Sequence, residues 1–336
     1  MNPNLSVVIL AAGKGTRMKS DQAKVLHEVF FLPMIHHVLA AALPLQADRT
    51  VVIVGHQRQA VSAAIAGFKT EIVVQEEQLG TGHAVLLTEK VIPVDASDVL
   101  ILYGDTPLLR PESLTAMLAH HRASGAACTL MTTDLTDPYG YGRVLTTADG
   151  QITSIVEEKD ATLAQKAIKT VNTGIYLVER EALFTALSAV DRNNAQGEFY
   201  LTDIIEKIVK SGGSVGQFVN PNPDEVLGVN SRVELALAHA GIQHRRNQAL
   251  MLSGVSMECP ESIAVALGAT VAPDCLLEPG VRLLGTTSLG RGCHIGQGAI
   301  LTNCQLGEKC DVGAYTCLTG VMLAAGTKVE ALTRAL

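Results

Sequence analysis

From Val265 onward an aliphatic side chain returns at every sixth position, through Val271, Leu277, Leu283, Leu289, Ile295 and Leu301. The pattern slips by one residue and resumes at Leu306, Val312 and Leu318, then slips again to Leu323 and Val329. Glycine often follows, as in Leu289-Gly290, Ile295-Gly296, Leu306-Gly307 and Val312-Gly313. A period of six belongs to neither an amphipathic helix nor an alternating strand. It predicts a parallel β-helix, in which three hexads make one coil and each coil buries its aliphatic edge against the next. Twelve such positions predict about four coils. Cys275, Cys293 and Cys310 each stand two residues before an aliphatic position, so they are expected to stack as core filling in one interior row. The spacing of stacked coils leaves a disulfide geometrically open, but a narrow inward corner calls for small residues in any case.

Residues 1–229 have a different texture. Short, apolar, β-rich runs at 5–10, 50–54, 71–74 and 99–102 read as parallel strands covered on both faces. Helical segments are expected from Pro33 towards Pro44, and over 58–66, 82–91 and 112–123. This βαβα order predicts an open, mostly parallel sheet, with ligands beyond the carboxyl ends of its strands. A helical connector over about 230–250 would join the two parts, giving domains at 1–229 and 251–336. The total of 336 residues agrees with two domains.

Composition narrows the function. The formal charge is −7, there is no Trp, and Phe and Tyr number six each, which argues against a nucleic-acid binder. No apolar run approaches the roughly 18 residues of a membrane span. The start of the chain does not read as a signal peptide, and the seven cysteines form no Cys-x-x-Cys pair. A cytoplasmic enzyme is expected.

The first strand runs into Leu10-Ala11-Ala12-Gly13-Lys14-Gly15-Thr16-Arg17-Met18. Glycines allow a close backbone approach and aim N–H groups at phosphate oxygens. Lys14, Arg17, Lys19 and Lys24 are opposed locally only by Asp21. A Walker loop fails because Gly15 follows Gly13-Lys14 where serine or threonine is required, and a dinucleotide fingerprint fails at Met18. The pattern Gly-x-Gly-Thr-Arg-Met, with a lysine several residues on, resembles the loop of sugar nucleotidyltransferases. Asp105 closes a strand's carboxyl end, where a nucleotide-bound cation would be met; its alternative role is a helix cap. Asn230 is similarly open to being the cap of the connector helix.

An ordered set of motifs carries a resemblance. Leu10–Met18, Lys24-Val25-Leu26-His27, Gln75, Gly80-Thr81-Gly82-His83-Ala84, the segment 103–108, and Tyr141-Gly142-Arg143 belong to it. So do the segments 155–160, 171–174 and 197–203, and Gly228-Val229-Asn230. Together these resemble the N-acetylglucosamine-1-phosphate uridylyltransferase domain of the bifunctional GlmU family, and the hexapeptide tail is similar to that family's second domain.

The resemblance implies an α/β fold: a Rossmann-like, GT-A-like nucleotidyltransferase domain followed by a short left-handed parallel β-helix. It implies a Mg²⁺-dependent reaction of UTP with N-acetylglucosamine-1-phosphate in the synthesis of cell-wall precursors. Arg17 and Lys24 would be catalytic, neutralising the leaving pyrophosphate. Leu10, Ala12, Gly13, Gly15, Gln75, Gly80 and Thr81 would bind the nucleotide, the last three its base. Tyr103, Gly142, Glu157, Asn172, Thr173 and Tyr200 would hold the sugar phosphate, and Asp105 and Asn230 would hold Mg²⁺. A homotrimer through the coils is implied as well, and neither a nucleic-acid nor a membrane partner. The later coils that carry the family's acetyltransferase site have no counterpart before residue 336, so acetyl transfer is not expected. One departure is Ala23, where the family usually has proline; losing the fixed φ implies a looser loop before Lys24. Another sugar phosphate, or a non-catalytic regulatory role, is the alternative reading. The adjacent pairs His36-His37 and His120-His121 are read as structural, because neighbours on a helix cannot face one metal.

Overall fold

The computed structural model describes residues 2–335. The chain divides into two compact units: one runs to Glu28 and resumes over Leu32–Glu234, the other takes Val29–Phe31 and everything from Leu235.

The first unit is built on a nine-stranded sheet: β1 (Asn2–Ala11), β2 (Ala47–Val54), β3 (Glu71–Val74), β4 (Asp98–Tyr103), β5 (Cys128–Asp134), β6 (Arg143–Thr146), β7 (Ile152–Val156), β8 (Thr170–Glu179) and β9 (Val215–Val219). Seven follow the order β9-β5-β8-β4-β1-β2-β3, and β6 and β7 extend from β8. β1 pairs in parallel with β2 and β4, β2 with β3, and β5 with β9. β8 is inserted antiparallel between β4 and β5.

The apolar run of β1 serves two cores at once. Leu5, Val7, Ile9 and Ala11 enter the cluster on one face of the sheet, whereas Val8, Leu10 and Ala12 enter the cluster on the other. Side chains alternate across a strand, so a strand covered on both sides must be apolar throughout. Burial of each such aliphatic contributes about 1.5–3 kcal/mol.

Two expectations change. β3 is an edge strand, with Ile72 and Val74 38% and 37% exposed, so it is not covered on both faces. The helix expected over 82–91 is Thr81–Leu86, followed by turns. There the Thr88 hydroxyl donates to the Val85 carbonyl at 2.7 Å and draws that group away from the helical ladder.

In the second unit, fourteen short strands stack into three parallel ladders of five, five and four. All twelve hexad aliphatics lie in them, and Met257 and Ala335 add positions the period did not reveal, so the helix has more than four coils. Cys275, Cys293 and Cys310 are buried and unbonded to one another, and each thiol donates to a backbone carbonyl. Gly296 explains the recurrent glycine: a Cβ there would lie 2.7 Å from the backbone nitrogen of Ala314 in the next coil.

The helix Arg232–Leu252 closes the first coil. Its Leu250 joins the coil core, and the Asn247 amide donates to the carbonyls of Pro260 at 2.7 Å and Ile263 at 2.8 Å.

Candidate active site

The loop after β1 is fixed by its ends. Thr16–Met18 form one 3₁₀ turn, and the Met18 side chain is buried beneath it. Gly15 sits at φ +62°, and a Cβ on it would lie 2.6 Å from the Cβ of Lys24. Only glycine allows that turn and leaves the lysine stem its place. Gly15 therefore makes room for a cation and is not among the residues facing the cavity.

The cavity itself measures about 470 Å³ and opens beyond the carboxyl ends of β1, β3 and β4. It is lined by Leu10, Ala12, Gly13, Arg17 and Lys24, by Gln75, Gly80 and Thr81, by Tyr103 and Asp105, and by Gly142, Glu157, Asn172, Thr173 and Asn230. Of the residues expected at the site, Tyr200 and Gly15 alone do not line it. Tyr200 instead faces a neighbouring cavity of about 300 Å³ with Asp160, Asp191 and Asp203, which shares Glu157 with the first.

At the floor, Lys24 forms an ion pair with Asp105. Lys24 Nζ and Arg17 Nη2 each donate to Asn230 Oδ1, both at 2.9 Å. Neither Asp105 nor Asn230 caps a helix with its side chain. The helix after Asp105 begins only at Pro111, and before Arg232 the Ser231 hydroxyl accepts from the Glu234 N–H at 3.2 Å. One carboxylate and one amide oxygen meeting at a single cationic point suit a hard divalent ion that takes its remaining ligands from water and phosphate.

Elsewhere the electrostatics follow burial. Desolvation raises the Glu157 carboxyl above its usual range, with Thr202 beside it opposing. Burial raises the Tyr103 phenol as well, and pushes Tyr141 up to about 12. Gln75 is buried and spends its amide nitrogen on the Gly80 carbonyl at 3.0 Å, with His83 Nδ1 at 3.2 Å. Asn172 donates to the Tyr176 hydroxyl at 2.7 Å, and Thr173 to the Met131 carbonyl at 2.8 Å, so both are anchored in the sheet.

Residues 6–223 match the model of the nucleotidyl transferase family. A bifunctional GlmU protein of Desulfotalea psychrophila is 51% identical over 333 residues, 99% of this chain and 98% of that one. The chain belongs to the GlmU family. Another GlmU protein, from Syntrophotalea carbinolica, is 43% identical over 316 residues, 94% of this chain and 68% of its own length. A structure assigned as a glucose-1-phosphate thymidylyltransferase of Bacillus anthracis superposes with a TM-score of 0.55 at 19% identity, covering 70% of this chain and 94% of that one. That likeness speaks for the fold alone. As a GlmU-family nucleotidyltransferase, the chain is an enzyme.

Several contacts that support this GlmU-family cleft escaped the sequence reading. Ala23 donates its N–H to Gln57 Oε1 at 2.9 Å, a bond proline could not make, and Gln57 also reaches the Asp21 carbonyl. The loop before Lys24 is thus tied down, contrary to the looseness expected from Ala23. Gln78 donates to the Ala12 carbonyl at 2.8 Å and joins the segment after β3 to the loop after β1. Arg143, 2% exposed, binds Glu158 at 2.8 Å and the Tyr141 carbonyl, and so holds the Tyr141-Gly142 turn. Glu234 accepts the Asn230 N–H at 2.6 Å. Its signal was legible as Ser231-x-x-Glu234, the spacing of a capping box. The histidine pairs serve structure: His121 binds Thr129 at 2.8 Å, and His120 meets Phe218 and His36 meets Phe68 edge-on. Among the described residues, no helix is long and apolar enough to cross a membrane.

Proposed function

We propose that the first unit catalyses transfer of a uridylyl group from UTP to N-acetylglucosamine-1-phosphate, releasing pyrophosphate and UDP-N-acetylglucosamine. A phosphate oxygen of the sugar attacks the α-phosphorus as the bond to the leaving pyrophosphate breaks, with no covalent enzyme intermediate. The observation that carries this reading is the meeting of Arg17, Lys24, Asp105 and Asn230 on the floor of one cleft.

Each residue has a defined share in it. Backbone N–H groups of Ala12 and Gly13, with Arg17, grip the triphosphate, and Arg17 and Lys24 offset the charge that develops on the leaving group. Asp105 and Asn230 would hold Mg²⁺, which supplies Lewis-acid stabilisation of phosphate oxygens when bound. Gln75, Gly80 and Thr81 suit a pyrimidine edge. Glu157 accepts from sugar hydroxyls, and Tyr103, Gly142, Asn172 and Thr173 shape that end of the cavity. Tyr200 lines the neighbouring cavity that shares Glu157, and Gly15 supports Lys24 from beneath. A cytoplasmic location and a homotrimer formed through the coils belong to the same reading.

A substrate panel read by pyrophosphate release tests it. UTP with N-acetylglucosamine-1-phosphate should turn over fastest, and only with a divalent ion. Faster turnover of glucose-1-phosphate or dTTP would remove the assigned specificity.

A further inference from the structure

Lys24 is placed on the two candidate metal-binding oxygens, not beside them: its ammonium pairs with Asp105 and donates to Asn230 Oδ1 at 2.9 Å. Both oxygens sit on a braced framework. The Val229 N–H donates to the Asp105 carbonyl at 2.8 Å, the Asn230 amide nitrogen donates to the Gly228 carbonyl at 3.0 Å, and the Asn230 N–H is held by Glu234 at 2.6 Å. Lys24 is the movable partner, a point charge on a flexible four-carbon stem, with 17% of its side chain exposed. An ammonium and a divalent cation cannot share the same two oxygens, because like charges within a few ångströms repel strongly at a protein surface.

We propose that Lys24 is the resident counter-cation of Asp105 and Asn230, and that it must leave them before a divalent ion can bind. This rests on the reading of those two residues as the metal ligands. A triphosphate in the Gly13–Arg17 cradle supplies the anion that draws the ammonium away. Nucleotide and metal therefore load together, and the free ion binds weakly to the enzyme alone. Arg17, on the same amide oxygen at 2.9 Å, stands to move towards the phosphates in the same step. Lys24 then has two opposed duties: it favours the departing pyrophosphate and disfavours the metal without nucleotide. Removing its charge should slow turnover yet tighten metal binding, a combination that a merely structural lysine would not give.

The test is titration of the full chain with Mn²⁺ in the absence of nucleotide, with free Mn²⁺ read by its EPR signal. Lys24→Met and Lys24→Gln should each bind the ion roughly tenfold or more tightly than wild type, the order of effect expected from removing one nearby unit charge. The double variant Lys24→Met with Asp105→Asn should lose that gain. Lys24 variants that bind Mn²⁺ no more tightly than wild type would overturn the exchange. A double variant that binds as tightly as Lys24→Met would show the ion to lie elsewhere and remove the underlying metal reading instead.

Discussion

At the scale of single residues, the site depends on cations positioned by neutral amides as well as by the Asp105 carboxylate. Arg17→Ala should lower kcat by about 10²–10³, the usual loss for one transition-state donor, while leaving the melting temperature near wild type. Gln57→Ala should lower kcat more mildly by loosening the Lys24 loop. Ala23 lies at φ −53°, within the range of proline, so Ala23→Pro in the Gln57→Ala background should restore part of that loss. Steady-state kinetics of the two variants decides it, and an unrescued double variant would mean that Gln57 acts otherwise. The charged floor of the site was legible because Arg17, Lys24 and Asp105 depart from their surroundings in charge or position. Gln57 and Gln78 were not, because a neutral amide that bonds backbone 34 or 66 positions away leaves no local trace.

Asp203, at the head of the helix Ile204–Lys210, shows how an element carries an unfavourable charge. Burial first, and Asp191 second, push its carboxyl up to about 6 from an ordinary 3.8. The folded state therefore holds more protons than the unfolded chain between about pH 4 and 6, and stability falls as pH rises through that window. Asp203→Asn should raise the melting temperature at pH 7 and change it little at pH 4, and a pH series of thermal melts measures the difference. In the coils, Gly296→Ala should destabilise by about 1–3 kcal/mol, because the added carbon meets the backbone of the next turn. Denaturant unfolding followed on the second unit checks this. The coils were readable from sequence because every turn repeats the same demand for one aliphatic and one small residue. The edge position of β3 was not, since Glu71–Val74 has the composition of a central strand and only its neighbours decide its exposure. Antiparallel β8 was equally hidden, because strand direction is set by the connections on either side of it.

Across the whole molecule, the cores are distinct: two clusters flank the sheet of the first unit, and a third fills the coils. A ligand that binds one folded unit stabilises that unit by mass action. UTP with a divalent ion should therefore raise the unfolding temperature of the first unit, while Gly296→Ala lowers that of the second, and calorimetry on the full chain separates the two. Nucleotide that shifted only the melting of the coils would place its site outside the cleft. The thiols provide an internal clock for such experiments. Cys259 is exposed, whereas Cys275, Cys293, Cys304 and Cys310 are sealed among the aliphatics of successive turns. A maleimide should tag the former at once and the latter only as fast as individual turns open, so the lag between peptides would report, rung by rung, where the ladder first breathes.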